Sequence, residues 1–362
     1  MLTQHPNNQS VSPDARLVEL DALRGLAALS VVLFHFTIND NAKLLGWEFS
    51  YGVTGVDIFF MISGFVIFLT VMKIRRWQDF VVSRFARLYP AFWYCMFITL
   101  GFTVFSEPDF VSPFRIFANA TMMPVYFGIE DLDGSYWTLL VEIIFYLWIL
   151  VLFITNNIRN INKIGFITIL SMMLFHQFSA YYVDFYEFTV KKVQLLNHFP
   201  LFFSGILFYQ LKKGEKRTEN IALLVFSLIA SFYLHHKGGR SQFHISATAH
   251  YLLLTSFHLL FGLFIMGKLS FLKFGPLLFL GKISYCLYLI HQYVGLHLIS
   301  AFTDKLHLNI YIALFLAFSI CIAIAYLVNT FIEIPANRLI RGWYSSNEAE
   351  IFGREGRKVA MR

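Results

Sequence analysis

Ten apolar stretches, most of them near the length of a bilayer-crossing helix, dominate this chain. They run over 17–38, 53–72, 88–105, 136–155, 163–182, 196–211, 220–236, 249–267, 278–300 and 309–332. A helical span needs about 20 apolar residues. Hydrocarbon holds no water to satisfy a backbone, so such stretches fold as helices. Segment 196–211 is short for a span, and 106–135 reads as a loop carrying a short interfacial helix. Only 14% of the residues are charged, against about 25% in soluble domains. The expected fold class is an all-α polytopic membrane protein, a bundle of about ten transmembrane helices.

Charge placement sets the expected orientation. With the N-terminus cytoplasmic, 21 of the 29 Lys and Arg fall in inside segments, seven fall outside, and Arg24 lies within the first span. Cytoplasmic loops carry such an excess, so both termini are expected inside. The acidic loop with Glu107, Asp109, Glu130, Asp131 and Asp133 then falls outside. Residues 1–16 form a polar cytoplasmic N-terminus without the basic start of a signal peptide, and 341–362 form a basic cytoplasmic tail. The net charge of +7 matches loops facing anionic lipid and calls for no nucleic acid. Cys95, Cys286 and Cys321 have no paired spacing, which argues against a disulfide framework or a zinc site.

Polar residues inside the spans are the candidate functional groups, because ionisable groups are costly there. Arg24 and His35 stand 11 residues apart in LDALRGLAALSVVLFHF. At about 100° per residue they leave one helix face, separated by about 16 Å. Each also has a plainer reading, Arg24 as an interfacial anchor and His35 as a buried hydrogen-bonded histidine. Asp57, near the start of the second span, and Glu142, about six residues into the fourth, count to the same depth as His35. A histidine with carboxylates suits general base catalysis, and equally a structural polar cluster joining three helices. Arg84 and Arg87, at i and i+3 in SRFARLYP, suit phosphate recognition or a surface anchor. Ser284, Tyr285, Tyr288 and His291 form a polar stripe that either lines a cavity or packs. Glu333 is expected to pair with an arginine. His235, His236, His244, His250 and His258 gather near one outer loop without completing a metal set, so no metal is expected. The chain has no GxSxG, Walker A or GxGxxG motif.

Taken together, Arg24-x10-His35, GVDIFFMISGF at 55–65, RFARLYP at 84–90, SYWTLLVE at 135–142, SYCLYLIH at 284–291 and FIEIPANR at 331–338 resemble the acyltransferase-3 family of integral membrane carbohydrate O-acyltransferases. The resemblance spans about residues 17–340. It implies about ten helices in a bacterial inner membrane, an acyl-CoA donor (acetyl-CoA by expectation), and a hydroxyl acceptor on a lipid-linked or surface carbohydrate such as O-antigen or exopolysaccharide. By motif match it implies His35 as the essential histidine, with Arg24 as its paired basic residue. Arg84 and Arg87 match the paired arginines, and Trp137 and Glu142 the Trp-x-x-x-x-Glu pair. The expected roles follow. His35, Glu142 and Asp57 are catalytic, with Glu142 orienting His35 or the sugar. Arg24, Arg84 and Arg87 hold CoA phosphates, while Trp137, Tyr285 and His291 contact substrate. A transporter of a glycan or small solute is the alternative. Oligomeric state, the acceptor sugar, and acetyl against succinyl stay open.

Overall fold

The computed structural model describes residues 17–352; the expected N-terminal stretch 1–16 and the end of the basic tail lie outside the described residues. Its α-helices are α1 (Val18–Thr37), α2 (Asp40–Leu45), α3 (Gly55–Val71), α4 (Trp77–Ser106), α5 (Pro113–Ala120), α6 (Trp137–Ile154), α7 (Ile161–Gln177) and α8 (Val183–Lys192). They continue as α9 (Leu195–Lys212), α10 (Arg217–Leu234), α11 (Ala247–Ile265), α12 (Gly275–Ile290), α13 (Tyr293–Ser300), α14 (Ile310–Val328) and α15 (Ile334–Phe352). Among the described residues there is no strand. Each of the ten apolar stretches is helical, and α5 is the short helix expected within 106–135.

Among the described residues eight helices are long and apolar enough to cross a membrane, nine if the α12–α13 pair, bent by 73°, is one span. The helix separating that number from ten is α9. It is 18 residues long, and 14 of these are buried, which makes it the bundle's core, packed by α3, α6, α7, α10 and α11. Eighteen residues reach about 27 Å, so the stretch is longer than its apolar run suggested. Asn197, His198 and Gln210 lower its apolar content, which a helix wrapped by protein tolerates.

Glycines on both partners bring two helix pairs backbone to backbone, and these pairs position the candidate site. A Cβ on Gly64 of α3 would strike the Phe202 carbonyl of α9, and one on Gly205 of α9 the Met61 carbonyl of α3. Likewise a Cβ on Gly25 of α1 would meet the Leu277 carbonyl of α12, and one on Gly281 the Asp21 carbonyl. Small residues drive such packing because lipid supplies no hydrophobic force between helices. Both described ends of the chain lie at one end of the bundle. Lys273 pairs with Glu19 at 3.0 Å, and the Tyr344 hydroxyl donates to Asp79 at 2.9 Å.

The α3–α9 contact makes a test. Gly64→Ala lowers stability by about 1–3 kcal/mol through overpacking. Gly101→Ala on α4, where an added methyl meets nothing within 4 Å, is neutral or stabilising by up to about 1 kcal/mol. Thermal unfolding of the two variants in detergent measures both.

Candidate active site

Two cavities lie along α1, one toward each end. The first, about 120 Å³, is lined by Arg24, Arg84, Arg87, Glu142, Ser63 and Tyr146, among others. Glu142 is held firmly: its Oε1 accepts from the Ser63 hydroxyl at 2.6 Å and from the Tyr146 hydroxyl at 2.5 Å. Arg87 forms an ion pair with Glu333, whose second oxygen accepts from Asn329 at 2.8 Å. A π-helical turn over Asn329–Glu333 carries both residues; such turns re-aim side chains at functional positions. The ring of Tyr285 lies 5.7 Å from the Arg87 guanidinium, and its hydroxyl donates to the Leu88 carbonyl at 2.9 Å. Arg84 donates to Ser83 at 3.1 Å, while its Nε is buried without a partner among the described residues. Arg24 makes neither a hydrogen bond nor an ion pair among the described residues. Three guanidiniums thus face two carboxylates, and two of the three keep free N–H donors.

The second cavity, about 90 Å³, is lined by His35, Asp57, Trp137, His198, Arg240 and His244, among others. The His35 ring lies 5.1 Å from that of His291. Among the described residues it makes no hydrogen bond. His291 sits at the α12–α13 break. Its Nδ1 donates to the Tyr288 carbonyl at 2.7 Å, since a carbonyl only accepts. The His291 Nε2 is therefore a lone-pair acceptor, and it is buried without a partner. Asp57 accepts from His250 at 3.1 Å, and His250 is bonded in turn to His235 at 2.8 Å, which ties α3 to the adjoining ends of α11 and α10.

Val56 and Tyr288 line both cavities, so the two adjoin. Tyr288 is fixed there: its hydroxyl donates to the Ser135 carbonyl at 3.1 Å and accepts from Thr138 at 2.9 Å. The joined cavities follow the Arg24–His35 face of α1, over an axial length of about 16 Å. An anionic group at one end and a reacting hydroxyl at the other fit this layout.

All nine sequence candidates lie in or beside the two cavities, and Glu142 and Asp57 have partners other than those expected. Glu142 lies in the arginine cavity and not beside His35. It stands five residues beyond Trp137, about 7.5 Å deeper along α6. Trp137, at the start of that helix, is the α6 residue that reaches the His35 cavity. Asp57 does line the His35 cavity, but its hydrogen bond goes to His250. Counting depth along single helices cannot anticipate which neighbouring side chain each group meets, and both differences arise there. Tyr285 belongs to the arginine cavity, whereas His291 stands beside His35. Sequence reasoning missed Ser63 and Tyr146 as the partners of Glu142. It also missed His198 and Arg240. Arg240 showed itself only as a cation in an outer loop, where topology alone explained it.

Residues 17–328 match a protein family described as an acyltransferase domain. The O-acetyltransferase OatA of Staphylococcus aureus strain NCTC 8325 is 27% identical over 363 residues, covering 88% of this chain and 57% of that protein. The peptidoglycan O-acetyltransferase OatA of Listeria monocytogenes is 28% identical over 151 residues, covering 35% of this chain and 22% of that protein. The chain thus spans little more than half the length of the Staphylococcus relative. No solved structure matches.

The Arg87–Glu333 pair predicts a coupling. Glu333→Ala strands a guanidinium and destabilises by on the order of 2 kcal/mol, less than a fully buried pair because Arg87 is 30% exposed. Adding Arg87→Ala restores part of that loss. A double-mutant cycle on thermal unfolding reads the coupling.

Proposed function

This chain belongs to the acyltransferase domain family, and from that premise we propose that it is an integral membrane O-acetyltransferase that moves an acetyl group from acetyl-CoA to a hydroxyl of a cell-surface carbohydrate. The observation that carries the reading is the excess of guanidinium over carboxylate in a cavity that adjoins a histidine cavity. Free N–H donors on Arg24 and Arg84 suit the phosphates of CoA, which guanidiniums bind as a planar fork. Arg87, held by Glu333, completes the positive field. Glu142, fixed by Ser63 and Tyr146, limits that field. The cation-rich end faces the cytoplasm of a bacterial cell, where CoA is found, in keeping with the distribution of Lys and Arg.

At the other end His35 is the general base. Its free ring nitrogen takes the proton of the acceptor hydroxyl as the oxygen attacks the thioester carbonyl. The C–S bond then breaks, and the imidazolium returns the proton to the departing thiolate. General base catalysis of this kind contributes about 10²–10⁴-fold. Trp137 and His291 form the wall against which the sugar lies. Asp57, held by His250, keeps a carboxylate at the edge of that cavity, and Tyr285 steadies Arg87. The names of the relatives support a peptidoglycan-like acceptor.

With purified protein in detergent, His35→Ala lowers acetyl transfer by at least about 10²-fold while folding normally. Arg84→Ala instead raises the KM for acetyl-CoA by about tenfold, the loss of one charged hydrogen bond, with kcat little changed. Steady-state kinetics with both substrates varied separates the two effects. Equal loss of kcat in both variants with unchanged KM would refute the division of roles.

A further inference from the structure

Among the described residues Arg240 is the one guanidinium that lines the His35 cavity, and nothing in the reaction above uses it. It opens a short 3-10 turn, Arg240–Phe243, after α10. Its guanidinium lies 4.4 Å from the centre of the Trp137 ring. Trp137 is itself fixed among neighbours, with His198 at 5.3 Å and Phe60 at 6.3 Å between ring centres. Stacking over an aromatic face occupies the flat side of a guanidinium and leaves its N–H edges free. Among the described residues no hydrogen bond or ion pair uses those edges. The residue is open to solvent.

The surroundings leave room for a negative charge. Around Arg240 the cavity presents His35, His198 and His244. Its carboxylate, Asp57, is already bonded to His250. Asp131 is the acidic neighbour within electrostatic reach of Arg240, yet no ion pair joins them. Burial pushes the Asp131 carboxyl up to about 6, so it is a weak competitor for the guanidinium in mildly acidic surroundings.

We infer that Arg240 forms a subsite for a carboxylate on the acceptor, so that the acceptor is an acidic sugar whose charge is read beside the hydroxyl that His35 deprotonates. The inference rests on the acyltransferase reading and narrows its acceptor class. A planar fork held by a ring matches a carboxylate in two parallel hydrogen bonds. Lysine in the same place keeps the charge and loses the fork and the stack.

The test uses purified full chain in neutral detergent with acetyl-CoA and two acceptors. One is the N-acetylglucosaminyl-N-acetylmuramic acid disaccharide with its lactyl carboxylate free, and the other is its methyl ester. The wild type prefers the acid by about 10- to 100-fold in kcat/KM, the worth of a charge-assisted bidentate contact. In Arg240→Gln that ratio falls to near one, and in Arg240→Lys it takes an intermediate value. If the variants slow both acceptors equally and keep the ratio, Arg240 is structural and the subsite is wrong. If the wild type treats acid and ester alike, or acylates neither while still releasing CoA from acetyl-CoA, the subsite is overturned and the acyltransferase reading stands. A chain that does not turn over acetyl-CoA overturns both. Should phosphatidylglycerol vesicles raise activity through Arg240 with no acid-over-ester preference, the anion is a lipid headgroup and the carboxylate subsite is likewise wrong.

Discussion

Positive charge held inside an apolar bundle is the constraint on which this structure depends. Arg24, Arg84 and Arg87 line one cavity, and Glu142 and Glu333 are the carboxylates set against them. Removing a guanidinium from water costs several kcal/mol unless a partner repays it. Glu333 supplies that partner for Arg87, and the π-helical turn at the end of α14 brings Glu333 into range. Glu142 is spent on Ser63 and Tyr146. One positive charge is left over, beside the unpartnered N–H of Arg84. A site built this way has positive charge to spare for an anion.

The other cavity is constructed on the opposite principle. Its imidazoles are packed close and its carboxylate is engaged elsewhere. His35 carries no hydrogen bond among the described residues, and the Nε2 of its neighbour His291 is left open. A base must have a lone pair to offer a substrate, so a histidine without an internal partner is the useful kind. Both cavities owe their alignment to α1, which presents Arg24 and His35 on one face. They also owe it to the glycine contacts that hold α1 against α12 and α3 against α9. Because those contacts are backbone to backbone, they fix helix rotation as well as distance. Rotation decides which side chains enter which cavity.

Much of this was legible in the residues. The helical class, the ten apolar segments and the shared face of Arg24 and His35 all follow from periodicity and hydropathy, which report on one helix at a time. The i, i+3 spacing of Arg84 and Arg87 was readable for the same reason, and the pairing of Glu333 with an arginine followed from the cost of a lone carboxylate in a span. What stayed hidden depends on two helices at once. Glu142 lies with the arginines and not beside His35, because depth counted along α6 alone does not say which cavity a neighbouring helix opens beside it. Ser63 carries no signal in its own helix, and only its approach to α6 makes it a hydrogen-bond donor to Glu142. The alignment of Arg240 over Trp137 joins a loop to a helix about a hundred residues away, and no local pattern announces such a contact.

The central claim is that one cavity holds the donor's anionic end while the other holds the base. Calorimetric titration of CoA into purified wild type, Arg24→Gln and His35→Gln addresses it directly. The structure predicts that Arg24→Gln weakens CoA binding by about tenfold or more, the cost of a lost charged contact, while His35→Gln binds as the wild type does. Wild-type affinity in Arg24→Gln, or a matching loss in His35→Gln, would contradict the division of the two ends.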